Sequence, residues 1–145
     1  MQVQLGRPHR HAAIHGQLRR GQIASLATLG VVLWLLFALL IRYSIPTGLF
    51  GNAAASALLF AAAFPLAWLM IRLCRRVAAL SPGQVVPGVV VASAAALPCD
   101  GLALTWAPNL YGPDAASILP AAAWLFWGVG VSLALALAVA EPKMA

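Results

Sequence analysis

The chain has 145 residues, 63% of them hydrophobic and only 8% charged, with a net charge of +6. Soluble domains average about 25% charged residues, so this composition excludes a soluble globular protein. The basic excess is not a nucleic-acid signature either: the Lys and Arg residues flank apolar runs, and no stretch interleaves basic and aromatic side chains.

Residues 1–20 form a polar, basic tail, expected to be disordered and cytoplasmic. It carries His9, His11 and His15. His11 and His15 have a spacing that would suit a metal on a helix. Pro8 and Gly16 limit any such helix and no Cys or carboxylate is near, so no metal site and no cofactor is expected. An apolar run over 23–42 follows. It is longer than the h-region of a signal peptide, about 7–15 residues, and the A-x-A-like stretch at 52–57 lies beyond Arg42 and Pro46. A retained first membrane helix is the expectation.

Residues 43–52 hold Pro46, Gly48 and Gly51 and form a loop. The second span covers 53–74 and should kink at Pro65. A basic loop, 75–83, leads to the third span over 84–106, with Pro87 in its first turn and Pro98 inside. A turn-rich loop at 107–117 leads to the fourth span, 118–140. About 20 apolar residues cross a hydrocarbon core about 30 Å thick. Residues 21–145 are therefore one all-α, polytopic domain, a four-transmembrane-helix bundle whose first partner is the lipid bilayer. Arg7, Arg10, Arg19 and Arg20 precede span one, Arg72, Arg75 and Arg76 cluster after span two, and Lys143 follows span four. Positive residues mark the cytoplasmic side, so both termini are expected in the cytoplasm of a bacterial inner membrane.

Asp100 is the chemical feature of the spans. It lies 16 residues after Gln84, about 24 Å along a helix, in the outer third of the bilayer. A carboxylate at that depth must face protein or water. Ser93, Ala96, Asp100 and Ala103 share one face of small side chains, which lets helices approach closely. Pro98 frees the Ala94 carbonyl, and Gly101 loosens the backbone further. Arg42, alone at the outer end of span one, is the expected partner of Asp100. Gly128, Ser132 and Ala136 form a second packing face on span four. Trp106 suits an interfacial belt, while Trp124 and Trp127 suit interface anchoring or a pocket. Cys74 and Cys99 lie at different depths and should not pair.

Several short stretches carry a resemblance: "WLLFALLIR" ending at Arg42, "FPLAW" around Pro65, "LPCDGLAL" around Asp100, "APNLYG" around Pro108 and "AAWLFWG" from Ala122 to Gly128. Residues 23–140 resemble the small four-helix bacterial membrane proteins of domain-of-unknown-function family 5367. The resemblance implies four spans, attaches weight to Arg42, Asp100, Trp124 and Trp127, and implies no activity. Where the family pattern carries an aromatic after the second Trp, this chain has Gly128 and Val129.

No P-loop, G-x-S-x-G, H-E-x-x-H or C-x-x-C motif occurs, and an enzyme is not expected. The favoured reading is an accessory or structural subunit that packs against other transmembrane helices, in a hetero-complex or a homo-oligomer. In that reading Asp100 is a packing anchor. The alternative is a small ion-coupled transporter or exporter that uses Asp100.

Overall fold

The computed structural model describes residues 16–140. Residues 1–15 of the tail, with its histidines, and Lys143 lie outside the described residues; of the rest of the tail, expected to be disordered to residue 20, Arg20 begins the first helix. Four helices make up the fold: α1 (Arg20–Ser44), α2 (Ala53–Val77), α3 (Val85–Trp106) and α4 (Ala115–Ala140), with short 3-10 turns at Ile45–Thr47, Pro82–Gln84 and Pro108–Leu110. No strand occurs among the described residues. Each helix is long and apolar enough to cross a membrane, so the all-α, four-span architecture stands as expected.

The helix ends differ from the expected spans, for local reasons. Helix α2 continues past Cys74, so Arg75 and Arg76 form its last turn, where cations complement the helix dipole. It starts at a cap: the Asn52 side chain accepts from the N–H groups of Ala54 and Ala55 at 2.9 and 3.2 Å. Helix α4 begins at Ala115, earlier than Ile118, because the Asp114 carboxylate accepts from the Ser117 N–H at 2.9 Å. Pro65, Pro98 and Pro120 all sit inside continuous helices.

Helix α1 packs mainly on α3, and α2 on α4; α3 also meets both members of the second pair, while α1 and α2 touch sparingly. Apolar burial gives little driving force where the solvent is itself hydrocarbon, so close approach of small residues must supply the packing. Gly30 makes the tightest approach. A Cβ there would lie 2.2 Å from the carbonyl oxygen of Ala92 on α3. Of the expected packing residues, Ser93, Ala103, Ser132 and Ala136 are buried, and Ala96 and Gly128 are half-buried. The stripe on α4 is thus turned into its own bundle.

One end of the bundle is basic. There the Gln22 side chain donates to the Ala78 carbonyl at 2.9 Å, and the Gln84 side chain to the Gln17 carbonyl at 2.7 Å. These bonds tie the start of α1 to the α2–α3 connection. Arg72 lies 3.8 Å above the Trp68 ring, a cation–π contact. Leu36, Leu40, Leu58, Leu69, Leu102, Leu119, Phe126 and Leu137 are each more than half exposed on the outside of the bundle. Such a surface fits contact with lipid chains.

Candidate functional site

At the end opposite Arg72, Arg75 and Arg76, the loop after α3 folds back over Asp100. The 3-10 turn Pro108–Leu110 reverses the chain, and the Tyr111 N–H closes it on the Pro108 carbonyl at 2.9 Å. Gly112 holds the turn against α4 and the end of α1; a Cβ on it would lie 2.7 Å from Cδ1 of Ile45. Tyr111 is consequently buried, at 1% exposure, although it belongs to a loop. Its hydroxyl donates to Asp100 Oδ1 and accepts from Trp34 Nε1 at 3.0 Å. This chain of bonds joins α1, the loop and α3 through a carboxylate that is itself only 8% exposed. Burial, and then the Asp100 contact, hold the Tyr111 phenol above its ordinary pKa.

The expected Arg42–Asp100 pair does not form among the described residues. Arg42 is exposed at the end of α1, and its guanidinium donates to the Asn109 carbonyl. Asp100 Oδ1 is taken by Tyr111. The charges are thus tied to one loop but not to each other, because the loop delivers a neutral phenol to the carboxylate. A double-mutant cycle of Arg42→Gln and Asp100→Asn, measured by unfolding in detergent, is expected to be additive within about 0.5 kcal/mol. Coupling well above that would restore the direct pair.

Below Tyr111 all four helices enclose a partly open cavity of about 90 Å³. Trp34 and Phe37 of α1, Met70 of α2, Ser93 and Asp100 of α3, and Trp124 and Ser132 of α4 line it. The Ser132 hydroxyl is satisfied by the Gly128 carbonyl at 2.8 Å. Ser93 is not: its Oγ is buried without a hydrogen-bond partner. An orphaned buried hydroxyl is costly, by about 1–3 kcal/mol. Ser93→Ala is therefore expected to raise the thermal midpoint in detergent; a lowered midpoint would mean that the hydroxyl is satisfied after all.

The tryptophans divide by role. Trp124 is buried, donates to the Leu59 carbonyl at 2.8 Å and meets Phe37 edge-on at 5.9 Å between centroids. It pins α4 to α2 and walls the cavity. Trp127, partly exposed, donates to the Phe60 carbonyl at 3.0 Å, packs at a tilt on the Phe60 ring and meets Phe64 edge-on. Trp106 is exposed at the end of α3. Both cysteines are free; Cys74 is buried, and the half-buried Cys99 thiol donates to the Ala95 carbonyl at 3.4 Å.

Sequence reasoning missed Trp34, Tyr111 and Gly30. Trp34 did carry a signal. It lies mid-span, away from the interfaces where Trp is enriched, and a buried indole N–H needs an acceptor at its own depth. Tyr111 carried none, since a Tyr in a Pro/Gly loop reads as an interfacial residue. Chemically, the cavity offers one carboxylate, one unpartnered hydroxyl and aromatic walls, which suits binding. No family model matches the sequence, and no curated protein or solved structure matches it.

Proposed function

We propose that this chain is a small multi-pass protein of a bacterial inner membrane that takes a solute into the Asp100 cavity, as a small transporter or exporter does. One observation carries the reading: all four helices line a partly open cavity around Asp100 and the unpartnered Ser93. A chain kept only for packing gains nothing from an orphaned hydroxyl beside a void. The small-residue stripe on α4, which by sequence could pack on span three, another copy or a different subunit, is used inside the bundle at Ser132 and Ala136. The packing-subunit reading retains one observation in its favour. The Trp34–Tyr111–Asp100 bonds also make Asp100 an anchor of the bundle. By the arginine placement, the basic end faces the cytoplasm, with both termini on that side. Membership of the four-helix family of unknown function belongs to the same proposal and rests on the short stretches around Arg42, Asp100 and Trp124.

Thiol labelling tests these readings without knowledge of the solute. In a Cys74→Ala, Cys99→Ala background, Ser93→Cys in proteoliposomes should react with a small charged methanethiosulfonate, which enters only by water. Folded protein that excludes the reagent from position 93 would favour the packing subunit. Ser117→Cys and Ser81→Cys report orientation in whole cells: an impermeant reagent should reach position 117 from outside and not position 81.

A further inference from the structure

The reading of a solute cavity leaves the class of solute open, and the inference that follows rests on that reading. We propose that the cavity binds a small alkylammonium ion, its charge against Asp100 and its alkyl body against Trp34, Phe37 and Trp124.

The charge follows from the inventory of the site. Asp100 is the only ionisable group among the cavity-lining residues. Tyr111 occupies Oδ1, and Oδ2 has no hydrogen-bond partner among the described residues. Arg42, the one cation at this end of the bundle among the described residues, is engaged with the Asn109 carbonyl and does not neutralise the carboxylate. Tyr111 is a neutral donor, so it solvates the buried carboxylate without compensating its charge. A ligand ammonium supplies that charge, through a charge-assisted N–H···O bond to Oδ2.

The walls agree with that charge. Indole and phenyl faces attract cations through their ring quadrupoles, more strongly when water is excluded. Trp34 and Trp124 come from opposite helix pairs and both line the space. Their N–H donors are already committed, to the Tyr111 hydroxyl and the Leu59 carbonyl. The rings therefore offer their apolar surfaces and no free donor for an anion.

Size narrows the class further. An engineered cavity of roughly 150 Å³ holds benzene, so about 90 Å³ accommodates about four heavy atoms. The cavity is partly open, so a longer tail can project from it. Ser93 marks the inner end, seven residues before Asp100 on the same helix, about 10 Å along its axis.

The test uses the full chain in detergent, with propylammonium, propan-1-ol and acetate as size-matched probes and intrinsic tryptophan emission as the readout. Propylammonium should give a saturable change, and the neutral and anionic probes should not. Asp100→Asn keeps an oxygen for Tyr111 and should weaken propylammonium binding at least about tenfold. Asp100→Glu keeps the charge and should retain the preference for the cation. Equal binding of propan-1-ol, unchanged affinity in a folded Asp100→Asn variant, or no saturable binding of propylammonium would each overturn the cation assignment. Labelling at Ser93→Cys with no response to propylammonium would leave the solute pathway standing and remove only its charge selectivity. Exclusion of the reagent would remove the pathway itself.

Discussion

Replacing Gly30 by leucine is expected to leave little correctly folded protein. The position is set against backbone: an added Cβ would meet the Ala92 carbonyl oxygen at 2.2 Å, its carbon at 3.0 Å and its Cα at 3.1 Å. No side-chain rotamer relieves a clash with a neighbouring helix backbone, so α1 must move away from α3 as a body. Overpacking a core typically costs about 1–3 kcal/mol, occasionally more. Here it also threatens the Trp34–Tyr111 bond, which depends on α1 and α3 holding their distance. Gly30→Ala should already lower the unfolding midpoint in detergent, and Gly30→Leu should lower it further or abolish recovery of monodisperse protein. Gly128→Ala is the control. A Cβ at Gly128 meets nothing within 4 Å, and alanine is the better helix former by about 1 kcal/mol. If Gly30→Leu were as stable as Gly128→Ala, the close contact between α1 and α3 would be refuted.

Tyr111→Phe is the second large effect, and it removes a single oxygen. That oxygen serves two groups, the buried Asp100 carboxylate and the indole N–H of the half-buried Trp34. Each group left unpaired costs about 1–3 kcal/mol. Tyr43→Phe, at an exposed phenol, should cost almost nothing. Equal midpoints for the two variants would show that the Tyr111 hydroxyl carries no network. The pH dependence has a definite sign. The folded chain holds the Tyr111 proton above the ordinary phenol pKa, so an unfolded chain releases it first. Stability from this residue is complete below pH about 10 and declines as pH rises beyond that value. Tyr111→Phe should lack this share of the alkaline decline.

What the sequence determined by itself is the part that depends on composition and length. Four apolar runs with Arg at alternate ends can only be helices in lipid, because no other open backbone satisfies its own hydrogen bonds there. The depth of Asp100 and its inward direction follow from the same run: a carboxylate in hydrocarbon must face protein, and Ser93, Ala96 and Ala103 mark the face that does. Helix ends were less legible because polar residues, Asp114 ahead of α4 and Arg75 and Arg76 at the end of α2, carry helices beyond their apolar segments. Tertiary structure alone decided the partners. Opposite charges at similar depth suggest Arg42 and Asp100, yet the loop through Pro108 sends Tyr111 to the carboxylate and presents the Asn109 carbonyl to the arginine. Gly128, in a regular small-residue stripe, borders the cavity and touches no neighbouring helix backbone, while the isolated Gly30 bears the tightest backbone contact. Periodicity reports which face of a helix is small. It does not report which helix meets that face, because in a bilayer all four outer surfaces are equally apolar and only the fit between particular backbones selects the neighbour.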